Sequence, residues 1–133
     1  MKRIRIAAIA FVASIAVFTG CQKDTTLTIK PEVKTITGTI SFSKTLVPLF
    51  TQNCAIAGCH VSGGQTPDLS ADNVYNSLVN TPGFVNVKDP QSSKIYEYIT
   101  GKLSPAMPMG KASNPGDIND LFLAWVEQGA KKN

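Results

Sequence analysis

Apolar residues open the 133-residue chain as one nearly unbroken run, Ile6 to Phe18, with only Ser14 interrupting. From Asp24 to Thr39 they thin out to Leu27, Ile29, Val33 and Ile36 among Thr and Lys, the pattern of an extended, solvated tether. Thr35 to Phe42 alternates weakly, enough to predict a short strand. After Ser41 the period changes to that of amphipathic helices. Leu46, Leu49, Phe50 and Cys54 predict a helix from Lys44 to about Asn53, capped by Ser43 and regular from Val47 because of Pro48. Val74 and Leu78 predict a second from Ala71 to Asn80, capped by Ser70, and Ile95, Tyr98 and Ile99 a third from Asp89-Pro90 to Thr100, stopped by Gly101. Ile118, Leu121, Phe122, Trp125 and Val126 mark the most regular helix, about Pro115 to Gln128, closed by Gly129. Between the last two helices, Pro105 and Pro108 exclude regular structure from Leu103 to Lys111. The expected fold is all-α: three to four short helices joined by long loops, spanning 41–133.

The start of the chain reads as an address. Lys2, Arg3 and Arg5 precede an apolar run of 13 residues, too short to span a bilayer comfortably, and small Thr19 and Gly20 lead into Cys21. This ending resembles the lipobox of bacterial lipoproteins, with Phe18 standing where that family usually carries an aliphatic residue. The resemblance implies cleavage after residue 20 and lipidation of Cys21, with 21–40 tethering a domain to an envelope membrane, on the periplasmic side or the outer surface.

Charge adds little. Three of the 13 basic residues lie in the leader, so ten face nine acids afterwards, and no basic run favours nucleic acid.

Candidate chemistry concentrates in Asn53-Cys54-Ala55-Ile56-Ala57-Gly58-Cys59-His60, which holds the only histidine. Cys-x-x-Cys-His is the attachment sequence of c-type haem: the thiols add to the vinyl groups and the adjacent imidazole binds iron. Here four residues separate the cysteines. The vinyl positions set the sulfur separation, not the residue count, and small or flexible Ala55, Ala57 and Gly58 can bulge out with Ile56. A thin domain also benefits from a covalently held apolar cofactor, which supplies core and staple together. Other readings of the pair are a Cys54–Cys59 disulfide, which an exported chain permits, and a zinc site, for which a fourth ligand is missing.

With no second histidine, a sixth iron ligand within the monomer is sought among the methionines. Met1 belongs to the leader, which leaves Met107 and Met109 in Ser104-Pro105-Ala106-Met107-Pro108-Met109-Gly110. Two prolines limit how this loop moves. An apolar helix, then Asn-Cys…Cys-His, a Met-Pro loop, and a last helix carrying Trp and ending Gln-Gly-Ala together resemble class I cytochrome c, over roughly Phe42 to Lys131. The likeness is greatest to the lipoprotein cytochrome domains of Bacteroidetes and Planctomycetes, whose loop typically reads Met-Pro-Pro.

That resemblance implies one covalent haem c on Cys54 and Cys59, iron bound by His60 and Met107, and electron transfer to redox protein partners without a bound substrate. Met109 stands where the second proline usually falls and competes with Met107. Phe50 and Trp125 are expected to pack near the ring. No acid/base pair or nucleophilic triad points to an enzyme. Two alternatives remain: a haem domain with an open sixth site for ligand binding or peroxidatic chemistry, and a disulfide-containing binding lipoprotein without haem. Oligomeric state is not encoded in any of these features.

Overall fold

The computed structural model describes residues 36–110, 114 and 117–133, which belong to a compact unit, Val33–Asn133. The leader, the Cys21 lipidation site and most of the tether lie outside the described residues. Among the described residues the chain is helical with no strand, and no helix is long and apolar enough to cross a membrane.

Four short α-helices carry the core: α1 Val47–Asn53, α2 Val74–Val79, α3 Lys94–Ile99 and α4 Ile118–Glu127. A π-helical turn, Phe42–Leu46, leads directly into α1, and Pro48 sits in the first turn, where a missing N–H costs nothing. The cap is Ser41 rather than Ser43: its Oγ accepts from the Lys44 N–H at 3.3 Å. Starting the turn at Phe42 buries that ring against Trp125 and Tyr75, at centroid distances of 4.8 and 5.1 Å. Phe122 bridges to Phe50 at 6.2 Å and to Trp125 at 5.7 Å. With Leu46, Val74, Leu78, Ile95, Ile99, Ile118 and Val126 these rings form the core. Each helix thus buries most of the apolar positions that its period marked out, while Leu49, Tyr98 and Leu121 are half-buried.

Two helices differ from expectation. The second helix keeps only Val74–Val79, because Ser70 is engaged by Asp68 and its carbonyl accepts from Asn73 and Val74 in a turn. The third is broken at Ser93, whose ψ of 122° is extended; Pro90–Ser92 forms a separate 3₁₀ turn. Ser93 is fully buried, and its hydroxyl accepts from the Asn86 N–H at 2.9 Å, a bond that a continuous helix would forfeit. Helix α4 is described from Ile118; Pro115, its expected first residue, lies outside the described residues.

The expected strand near Phe42 is also absent, since its hydrogen bonds go to side chains instead. The Ile40 N–H donates to Gln128 Oε1 at 2.8 Å, the Phe42 N–H to Asn133 Oδ1 at 2.8 Å, and Gln128 Nε2 donates to the Gly38 carbonyl at 2.8 Å. Ile40 is buried and Ile36 packs on the core, so residues 36–40 join the domain rather than the tether.

Candidate functional site

The Cys54–His60 loop leaves the end of α1. The Cys54 N–H donates to the Phe50 carbonyl at 2.8 Å, and the Cys54 carbonyl accepts from the His60 N–H at 3.0 Å, closing the loop on itself. Within it, the Cys59 N–H reaches the Ile56 carbonyl at 2.9 Å, and Gly58 takes a φ of +80° that favours glycine. Four intervening residues are therefore accommodated as a bulge whose two ends stay tied. Cys54 and Cys59 are both half-buried and stand as thiols, not as a disulfide.

Beyond His60 the chain turns back at Gly64, where any Cβ would collide with the Cys59 carbonyl oxygen. The Gln65 N–H then donates to that same carbonyl at 2.7 Å, and the Leu69 N–H to the His60 carbonyl at 2.7 Å. This return brings buried Pro67 beside the imidazole, its carbonyl 2.9 Å from His60 Nδ1. A carbonyl oxygen can only accept, so Nδ1 carries a proton, and in the neutral imidazole the lone pair is then on Nε2. Metal-binding histidines are oriented in this way, with the far nitrogen held by a backbone carbonyl.

The turn after Pro67 is ordered by Asp68. Its carboxylate accepts from the Ser70 hydroxyl at 2.6 Å, the Ser70 N–H at 2.9 Å and Asn73 Nδ2 at 2.8 Å. These bonds, chiefly those from Ser70, hold its pKa below the usual carboxylate value.

The methionine loop is tied to the end of α3. The Leu103 N–H donates to the Glu97 carbonyl at 3.1 Å and the Met107 N–H to the Tyr98 carbonyl at 2.9 Å. Asn114 Nδ2 adds bonds to the Ile99 carbonyl and to Asn119 Oδ1.

Two adjoining cavities, of about 290 and 420 Å³, lie between the loops. Together they reach the ~300–1,000 Å³ of small-molecule and cofactor sites. Cys54, His60, Thr66, Pro105 and Met107 line both. Cys59, Ile56, Gly58 and Met109 belong to the larger; Phe50, Phe84, Lys94, Ile95 and Tyr98 belong to the smaller. Met107 is half-buried and packs on the core, whereas Met109 is 66% exposed. The lining is mainly apolar, with no acidic side chain, and Lys94 is its one formal charge.

Cys54, Cys59, His60, Met107, Met109 and Phe50, nominated from the sequence, thus share one cleft. Trp125 does not: it lines neither cavity and sits in the aromatic core, its Nε1–H donating to the Lys131 carbonyl at 2.9 Å. The last helix turns this ring toward Phe42, so its expected place beside the ring is corrected. Pro67, Asp68 and Lys94 had not been nominated. A backbone carbonyl has no signature in sequence, and Lys94 was indistinguishable from an ordinary surface charge.

Among the described residues no three His, Cys, Asp or Glu side chains gather as a metal site. Two thiols, one imidazole and a thioether share the same cleft. No family model matches the chain, nor does any curated protein or solved structure.

Proposed function

We propose that this chain is a monohaem c-type cytochrome of the class I kind, carrying electrons at a bacterial envelope membrane to which Cys21 anchors it. The observation that carries the reading is the setting of His60. Its Nδ1 is held by the Pro67 carbonyl at 2.9 Å, and its ring shares a cleft with Cys54, Cys59 and Met107.

In this reading Cys54 and Cys59 would hold the cofactor through thioether bonds, and His60 and Met107 would bind its iron. A bound haem c supplies one-electron chemistry between ferrous and ferric iron. The residues do the rest. The Pro67 carbonyl fixes the His60 tautomer and ring plane, and raises the basicity of Nε2. Met107 is favoured over Met109 because its backbone is tied to Tyr98 and its side chain packs on the core, while Met109 is largely exposed. Phe50, Phe84, Ile95 and Ile99 form an apolar wall that limits water. Ile56, 46% exposed, and Met109 lie beside the cysteines and offer an apolar surface that an electron partner can approach.

The test is optical and electrochemical. Protein co-expressed with a cytochrome c maturation system should titrate reversibly with one electron. Its oxidised form should show the long-wavelength Met-to-iron band, absent in Met107→Ala and retained in Met109→Ala. An unchanged band in Met107→Ala assigns the ligand elsewhere. A band missing from the wild type supports the open-site reading instead.

A further inference from the structure

The two cavities differ in what lies beyond their shared residues, and that difference gives the cleft a direction. One end carries Cys59, Ile56, Gly58 and Met109; the other carries Phe84, Lys94, Ile95 and Tyr98. Protohaem has a direction too: its vinyl groups stand on two adjacent pyrroles and its propionates on the other two. If the vinyl edge is joined to Cys54 and Cys59, the carboxylate edge faces the other end. A carboxylate against an apolar wall is costly unless paired. The one formal charge lining the cleft is at that end.

Resting on the haem reading above, we propose that Lys94 is the propionate partner, holding a haem carboxylate at the end of the cleft opposite Cys59. Its position is prepared by the fold. Lys94 opens α3, directly after the break at Ser93, and its N–H donates to the Gly83 carbonyl at 2.9 Å. Gly83 has a φ of +81° and no side chain, so the lysine stem lies close over it. A Cβ there would come within 3.4 Å of Cε and 3.8 Å of Nζ. The stem thus covers backbone while the ammonium stays at the exposed mouth, as long cationic side chains do. Of the other titratable groups on this lining, His60 and Cys54 are engaged by the cofactor in this reading, and Tyr98 carries a phenol rather than a cation. Lys94 is a positioning residue: it orients the ring edge and sets the charge felt by the iron.

The test compares wild type, Lys94→Gln and Lys94→Arg, each matured with haem c, by potentiometric titration against pH. A propionate beside a cation titrates low. In Lys94→Gln the pH at which the potential begins to fall should therefore move up by about one unit, the low end of what an opposite charge does to a carboxylate. The potential at neutral pH should drop, because loss of a positive charge favours ferric iron. Lys94→Arg should restore both. A purely structural role would alter melting but not this profile. If Lys94→Gln matures poorly, the wild-type holoprotein supplies the second measurement: Lys94 should be acylated by an amine-reactive reagent several-fold more slowly than exposed Lys88. An unmoved pH profile, or equal acylation of the two lysines, overturns the proposal while leaving the haem reading intact. Absence of haem c from the wild type overturns both.

Discussion

Replacing Gly58 by alanine isolates the backbone of the four-residue insert between the cysteines. Gly58 sits at φ +80°, and nothing lies within 4 Å of where its Cβ would be, so the substitution meets no steric obstacle. Only the left-handed conformation is penalised, at about 1–2 kcal/mol for an L-residue. A domain of roughly this size loses about 4–8 °C of melting temperature per kcal/mol, so the variant should melt roughly 5–15 °C lower. The sign is the informative part. At a glycine with ordinary negative φ and open space, alanine stabilises by about 0.4–1 kcal/mol by restricting the unfolded chain. Thermal melts of purified wild type and Gly58→Ala, followed by circular dichroism, therefore separate the two conformations. An unchanged or raised melting temperature would mean that the insert does not fold as the closed bulge tied from Cys54 to His60.

Other substitutions test other parts of the molecule. Phe122→Ala removes a fully buried ring that joins Phe50 to Trp125, and denaturant titration should show a loss of about 3–5 kcal/mol. Gln128→Ala leaves the buried Ile40 N–H without its acceptor and should cost about 1–3 kcal/mol in the same assay; no loss would mean that 36–40 do not pack on the domain. Asp68→Asn probes the turn behind Pro67. Because the folded pKa of Asp68 is depressed, its contribution is full above the unfolded pKa, about 3.9, and disappears as pH falls through the folded value. The melting difference between wild type and Asp68→Asn should accordingly hold at neutral pH and shrink as pH falls below the unfolded value. A difference that persists in acid contradicts that role.

Helical period made the elements legible. Leu49 and Phe50 of α1, Ile118, Phe122, Trp125 and Val126 of α4, and Val74, Leu78, Ile95 and Ile99 were marked by spacing alone, though buried Leu123 was not, and Gly101 and Gly129 ended helices where expected. What spacing did not carry was competition from local hydrogen bonds. Ser93 breaks a helix because its buried hydroxyl serves Asn86, and the Asp68–Ser70–Asn73 cluster trims the start of α2. The missing strand has the same origin: its partners are the side chains of Gln128 and Asn133, which lie about ninety residues away in sequence. In the cleft, residue chemistry pointed to Cys54, Cys59, His60 and the methionine loop. It misplaced Trp125, because an aromatic at helical spacing fits a core and a cofactor wall equally well. It was blind to the Pro67 carbonyl, since every residue has one and only folding chooses which is used. That Met107 packs on the core while Met109 is exposed is likewise not revealed by two methionines flanking a proline.

The central claim is covalent attachment of one haem through Cys54 and Cys59, and intact-mass analysis under denaturing conditions tests it most directly. Protein matured outside the cytoplasm with a haem-attachment system should carry the added mass of one haem after acid–acetone extraction. Cys54→Ser and Cys59→Ser should each retain at most one thioether, and the double variant should lose the mass entirely. A wild-type chain that emerges at its polypeptide mass, or two units lighter as a Cys54–Cys59 disulfide, would contradict the account.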